Sequence, residues 1–446
     1  MGVGAVISGD FFGWNFGLAS GGFGGIVLAV AVMTAMYVGL CLSIAEMSPA
    51  LPHAGGAYSF ARTSMGPWAG YITGLAENME YILTPAVIVV GIGGYLGAVF
   101  GTPRAWEPAW WLAAYGIFVA LNVWGVEMTF RVSLAVTLAA LAVLAVFWVG
   151  AAPRLDLARW AAPYFPADRP RLSSLVSELP FALWLYLGIE QLPLAAEESH
   201  DPRRDMPRGI LWGLMALIVV SFLTVVLSAG IAPGAAAVAK SNEPLFLGFQ
   251  TIFGTGLQSR ALALVACTGL IASFHTIIFA YGRQIYSLSR AGYFPTWLSV
   301  THGKRETPHR ALLAGSALGF LAALVIFLMG QTSPVGAVLL NMAVFGAVIA
   351  YVMQMVSYIV LRVRFPHMER PYRSPAGIAG AVVALTVAGV TLVVLFGNPD
   401  YNRGVIGAAV WFLLGVVYFA VHGRRGLVLA PEEAAALAHR KEEGLR

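Results

Sequence analysis

Trp184-Leu185-Tyr186-Leu187-Gly188-Ile189-Glu190-Gln191-Leu192-Pro193 lies inside an apolar run from about Leu179 to Ala196. Glu190 puts a carboxylate in mid-membrane register, beside Gly188 and just before Pro193. A charge at the centre of a membrane helix costs about 2.5–3.5 kcal/mol on insertion scales, so it is rare without a task. Glycine and proline both weaken a helix there. Backbone freed at membrane depth has to line a cavity or be covered by protein. The first apolar segment repeats the device in Ile7-Ser8-Gly9-Asp10-Phe11-Phe12-Gly13. Two interrupted apolar segments, each with a glycine beside an acid, point to a ligand site near the bilayer midplane.

The rest of the chain fits that setting. Of 446 residues, 59% are hydrophobic and 11% charged, and the mean hydropathy is +0.76. Runs of about 20 apolar residues mark a polytopic helical membrane protein. We read twelve spans, at roughly 2–19, 23–46, 67–100, 109–125, 131–150, 178–196, 208–231, 260–288, 309–330, 335–361, 376–396 and 403–421. Residues 233–259 read as an outer loop with short helical pieces. With both ends inside, 19 of the 27 Lys and Arg fall on the cytoplasmic side, which sets the orientation in a cell (inner) membrane. Four arginines in the outer loop 151–176 run against the rule. The net charge of +5 therefore belongs to inner loops and is no sign of nucleic-acid binding. Cys41 and Cys267 sit within spans and read as small packed hydrophobes. Asp10 and the lack of a basic leader argue against a cleavable signal peptide. Only about seven residues precede the first break, on the order of 10 Å of helix. A half-membrane needs about 15 Å, so a trimmed start is expected.

Three motifs carry a family resemblance. Ser43-Ile44-Ala45-Glu46-Met47-Ser48-Pro49-Ala50-Leu51-Pro52 with Gly55-Gly56-Ala57-Tyr58 follows span 2. Glu197-Glu198-Ser199-His200-Asp201-Pro202-Arg203 with Met206-Pro207-Arg208 follows span 6. Tyr286-Ser287-Leu288-Ser289-Arg290-Ala291-Gly292-Tyr293-Phe294-Pro295 with Thr307-Pro308 follows span 8. In this order and spacing they resemble the amino acid–polyamine–organocation (APC) transporter superfamily. Ser8 to Gly17 and Leu75-Ala76-Glu77-Asn78-Met79-Glu80-Tyr81 look like its ethanolamine permeases. The resemblance implies an all-α fold of twelve transmembrane helices, the LeuT-type 5+5 inverted repeat with helices 1 and 6 broken. Residues 1–150 would be the first repeat, 151–177 an extracellular loop, and 178–361 the second repeat. Residues 362–421 would be two peripheral helices and 422–446 a cytoplasmic tail.

Amino-acid carriers of this superfamily hold the substrate carboxylate on free N–H groups of a Gly-Ser-Gly-like turn in helix 1. Here Ser8, Gly9 and Asp10 occupy that turn. An aspartate repels a carboxylate and attracts an ammonium, by roughly 4 kcal/mol at about 4 Å with an effective dielectric constant near 20. The departure favours an amine without an acid group. The alternative is that Asp10 turns away and caps the second half-helix. At helical spacing Glu77, Tyr81, Thr84, Pro85 and Ile88 share one face. The resemblance turns Tyr81 and Thr84 toward the site, puts Glu77 on the inner pathway, and turns Glu80 to the scaffold with a donor beside it. Trp184 matches a substrate-stacking tryptophan and Glu190 an acid near the inner gate. Trp184, Tyr186, Tyr81, Phe11 and Phe12 form a candidate aromatic wall, and ring faces attract cations. Gly188 and Phe274 complete the expected substrate contacts. Ordinary core packing is the competing account of each ring.

Coupling and gating fall to Glu77, Glu80, Glu190 and His275. A buried histidine near its titration range either carries a coupling proton or is a satisfied core residue. Some proton-coupled relatives carry a lysine in helix 5, which Thr137-Leu138-Ala139-Ala140-Leu141 lacks. Sodium would need helix 8 hydroxyls such as Ser273 and Thr276. We expect protons rather than sodium, and a small amine, ethanolamine first, imported across the lipid bilayer. An amino acid, polyamine or choline-type substrate, or exchange, is the alternative. Glu46 reads as an inner-loop contact and Glu197–Arg208 as a solvated loop. No HExxH, Walker A or paired-histidine motif supports an enzyme, a metal or a cofactor.

Overall fold

The computed structural model describes residues 2–51, 55–162, 171–305, 307–329, 335–397 and 402–428, and among these it contains helices and no strand. Pro52 and the tail beyond residue 428 lie outside the described residues. The α-helices are α1 (Gly2–Val6), α2 (Ser8–Phe11), α3 (Leu18–Ala50), α4 (Gly56–Met65), α5 (Pro67–Phe100) and α6 (Glu107–Trp124). Next come α7 (Val126–Ala151), α8 (Leu157–Trp160), α9 (Arg171–Trp184), α10 (Pro202–Ala229), α11 (Ala235–Val238) and α12 (Pro244–Phe253). The last are α13 (Leu257–Arg290), α14 (His309–Leu328), α15 (Val335–Arg364), α16 (Gly377–Gly397) and α17 (Asn402–Val421).

Among the described residues, ten helices are long and apolar enough to cross a membrane. Two of the twelve expected spans fall outside that set. One is α6, 18 residues long, which carries Glu107 and Asn122. The other is the first span, which is cut. Phe12 is extended, and Gly13 takes φ of 104°, a conformation that costs glycine nothing and other residues much. A 3₁₀ turn, Trp14–Gly17, then leads into α3, which is broken again at Gly22. The sixth span is cut at Gly188, φ 107°. Beyond it, Ile189–Glu198 is 3₁₀ where an α-helical inner half was expected. Pro193 has no N–H to continue an α-helix there. The outer half starts earlier than read, at Arg171, inside what was taken as loop. The 233–259 segment holds α11 and α12, as the sequence reads.

The two cuts lie against each other. A methyl on Gly9 would sit 2.6 Å from the Trp184 carbonyl oxygen and 3.1 Å from Leu185 Cα. A methyl on Gly188 would sit 3.3 Å from the Ala5 carbonyl oxygen. Around them α5 packs on α13 and α15, and α3 on α9 and α10. α16 and α17 show exposed apolar faces, Val393 and Leu413 among them.

Glu46, at the inner end of α3, is the hub of a buried network. Its carboxylate pairs with Arg362 at 2.5 Å and Arg370 at 2.9 Å, and accepts from Tyr358 Oη at 2.9 Å and the Ser374 N–H at 2.8 Å. In the segment read as a solvated loop, the exposed Glu197 pairs with Arg290 at 3.1 Å and the half-buried Glu198 with Arg283, both in the C-terminal part of α13.

Glu46→Gln is expected to cost about 3–5 kcal/mol, the usual penalty for leaving buried charges without their counter-ion. An unchanged thermal midpoint in detergent would show the network to be neutral. Gly9→Ala should destabilise by about 1–3 kcal/mol through overpacking against backbone that has no rotamer to change. Gly116→Ala is its control, since a methyl there meets nothing within 4 Å; equal midpoints for the two variants would refute the close crossing.

Candidate functional site

Breaking a helix frees carbonyls and N–H groups, and here neighbouring elements take them up. The Trp184 indole N–H donates to the Phe12 carbonyl at 2.9 Å. Tyr95 Oη donates to the Phe11 carbonyl at 3.0 Å. Asn15 Oδ1 accepts from the Gly13 N–H at 3.1 Å, and its amide donates to the Val238 and Ser241 carbonyls. Ser273 Oγ on α13 accepts from the Ser8 N–H and donates to the Gly4 carbonyl, both at 2.9 Å. Trp184 is thus a strut between the breaks. Phe11 packs on Gly269 of α13, and Phe12 on Gly91 of α5.

Asp10 is fully buried in α2. Its carboxylate points toward α10, where the hydroxyls of Ser221 and Thr224 are its near neighbours. Neither makes a well-formed hydrogen bond to it, and no basic side chain among the described residues pairs with it. Tyr186 is close by, with its hydroxyl 2.7 Å from Thr34 Oγ1 and its ring 5.1 Å from Tyr37.

On the other side of the sixth-span break, the Glu190 carboxylate accepts from the Gly188 N–H at 3.0 Å and from Tyr351 Oη at 2.9 Å. Tyr351 in turn meets Tyr37 Oη at 3.0 Å. Glu80 was expected to find a donor in the scaffold. Its carboxyl instead faces that of Glu190, and neither has a basic partner among the described residues. Glu77 lies one turn inward. It accepts from Gln284 Nε2 at 2.6 Å, and the N–H groups of Ala57 and Tyr58 at the start of α4 face it. Tyr81 and Thr84 are buried beside these acids, Tyr81 near Glu77, and neither hydroxyl makes a well-formed hydrogen bond among the described residues.

Two expected contacts are not brought to the breaks. Phe274 packs edge-on against Tyr115 and Phe118 of α6. His275 follows it: Nδ1 faces Asn122 Nδ2 at 3.0 Å and Nε2 faces the Thr129 carbonyl at 3.1 Å. That assignment is the neutral ring with the proton on Nε2, both nitrogens satisfied. Helical geometry turns both residues to the α6–α7 side of α13.

The sequence reading missed Tyr37, Tyr351, Ser221, Thr224 and Glu178. Glu178 on α9 is fully buried against the Gly21–Gly25 bend, with the Gly21 N–H facing its carboxylate. It stood at the edge of the sixth span, where an acid reads as a boundary. The tyrosines and hydroxyls carry no local signal, since only tertiary packing brings them to the acids.

The amino acid permease family profile matches residues 1–424. A transporter of Rhizobium meliloti (strain 1021), itself uncharacterized, is 28% identical over 443 residues, covering 95% of this chain and 90% of its own. The branched-chain amino acid permease BcaP of Bacillus subtilis (strain 168) is 25% identical over 449 residues, 95% of this chain and 91% of its own. The D-serine/D-alanine/glycine transporter of Escherichia coli O6:H1 is 24% identical over 392 residues, 83% of this chain and 81% of its own. With its apolar helices, its two broken segments and a profile that spans nearly its whole length, the chain belongs to the amino acid permease family and is a multi-pass membrane transporter, not an enzyme.

Proposed function

We propose that this permease imports a small cationic amine, ethanolamine first among candidates, together with protons, by alternating access. In this reading the twelve spans form a LeuT-type 5+5 inverted repeat in a cell (inner) membrane, with both termini cytoplasmic. The observation that carries the substrate class is Asp10: a fully buried carboxylate in the first break, with no basic partner among the described residues. Buried charges of this kind are paired or neutralised. An ammonium between α2, Tyr186 and α10 pairs it. The turn is also poor in donors for a substrate carboxylate. The N–H groups of Ser8, Asp10 and Phe12 are already bonded to Ser273, Ile7 and Ser8.

The second reading, an amino acid, rests on the relatives named for branched-chain amino acids and for D-serine, D-alanine and glycine. Asp10→Asn separates the two. We expect it to leave the thermal midpoint in place and to weaken ethanolamine binding at least tenfold, about 1.4 kcal/mol. Serine, which adds a carboxylate to ethanolamine, should bind more weakly than ethanolamine to the natural chain. Serine binding as tightly as ethanolamine, or unchanged affinity in the asparagine variant, would favour the amino-acid reading.

For coupling we favour the facing carboxyls Glu80 and Glu190. Two negative charges in contact repel, and one shared proton removes the conflict. Glu77 is committed to Gln284 and the start of α4. The hydroxyls proposed for sodium are occupied: Ser273 by Ser8 and Gly4, Thr276 by Ala272 and Ser133. An ammonium entering alone is already driven by about 2.3 kcal/mol per 100 mV of inside-negative potential. Proteoliposome uptake at fixed potential, with pH and sodium gradients imposed separately, should follow the pH gradient. Accumulation that tracks sodium and ignores pH would return the coupling role to Ser273 and Thr276.

A further inference from the structure

A cavity of about 380 Å³ opens on the flank of the helical body, away from both breaks. One wall is a single stripe of α5, Tyr71, Leu75, Asn78 and Ile82; the opposite wall is α17, with Trp411 and Tyr418. Leu318 of α14 and Leu414 of α17 are its exposed lips. Tyr71, Trp411 and Asn78 donate to the Gly415, Leu75 and Gly74 carbonyls, which leaves a mainly apolar wall in which Asn78 Oδ1 has no partner among the described residues.

Its length and its mouth are specific. From Tyr71 to Ile82 the stripe runs about 16 Å along the helix. That is the depth of one hydrocarbon leaflet, half of a core about 30 Å thick. Basic side chains lie beyond the Tyr71 end of the stripe. Arg310 stands one turn before the lining residue Ala314 on α14 and is exposed. The ring of exposed His422 is 5.8 Å from that of Tyr418, and Arg424 and Arg425 follow it, both exposed. Among the described residues, Arg310, Arg424 and Arg425 have no acidic partner. Trp297, exposed beside the lining residue Leu298, sits where interfacial tryptophans sit.

From the leaflet-deep, mainly apolar groove with three exposed arginines close in sequence to its lining residues, we infer a binding site for one anionic phospholipid of the inner leaflet. One acyl chain lies along the α5 stripe. The phosphate and its charge are held by Arg310, Arg424 and Arg425. Basic clusters at the membrane surface attract anionic headgroups, and an apolar groove seats a chain of any headgroup, so the arginines supply the selectivity.

The test is native mass spectrometry of the full chain from nanodiscs of phosphatidylcholine and phosphatidylglycerol in equal parts. We expect one phosphatidylglycerol retained per chain. Replacing the arginines by glutamine should lower the preference roughly fivefold for each one removed. Ala314→Phe, which fills the groove and leaves the arginines, should lose bound lipid of either headgroup while keeping the thermal midpoint. Equal retention of the two lipids, or a preference that survives the triple Arg→Gln variant, would overturn the inference. So would a disulfide-linked dimer formed by Leu318→Cys or Leu414→Cys, which would give the groove to a second copy of this chain.

Discussion

The structure depends on the contact between the two broken segments. Gly9 lies directly on the Trp184 carbonyl, and Gly188 lies near that of Ala5. Each cut frees backbone groups at a depth where no water replaces the lost bonds. Different elements supply the partners: Trp184 and Asn15 from the segments themselves, Ser273 from α13, Tyr95 from α5, Glu190 beside its own break. A lost bond there leaves a buried polar group unpaired, at about 1–3 kcal/mol each. Neither broken segment can therefore shift alone. Any rearrangement has to exchange bonds with α5 and α13 together, which makes the two long helices the frame against which the breaks move.

Charge is sorted along the same axis. At the inner end, acids have basic partners: Glu46 has two arginines, Glu197 and Glu198 one each. In the body, Asp10, Glu80, Glu178 and Glu190 have none among the described residues. A paired acid holds helices together whatever passes by. An unpaired buried acid keeps the cost of its burial, since no opposite charge offsets it.

Both breaks were legible in the sequence, because glycine, proline and an acid in an apolar run each carry a cost that needs a reason. Their internal form was less so. Pro193 marked the site, but whether the chain continues as α or 3₁₀ depends on what covers it. Glu46 shows the same limit. Its position at the end of a span predicted an inner contact, while its partners Arg362 and Arg370 are brought to it by the packing of α15 and the segment after it. The facing of Glu80 and Glu190 was invisible because helical periodicity places a residue on a face and does not say which helix that face meets. His275 stood open between two roles in the sequence; the geometry gives both ring nitrogens to Asn122 and Thr129.

α5 ties these features together. At about 100° per residue, Tyr71, Leu75, Asn78 and Ile82 form one stripe, while Glu77, Glu80, Tyr81 and Thr84 fall on roughly the opposite side. The first stripe, apolar apart from Asn78, lines the flank cavity; the second carries two buried acids and two buried hydroxyls. Both stripes are buried, so α5 is a core helix on nearly every side. α5 is accordingly hydrophobic nearly all round, with its polar residues turned inward. It also places the acids beside α15, which approaches so closely at Gly346 that a methyl there would sit 2.5 Å from the Ala76 carbonyl oxygen and 2.8 Å from the Glu80 nitrogen, and whose Tyr351 donates to Glu190.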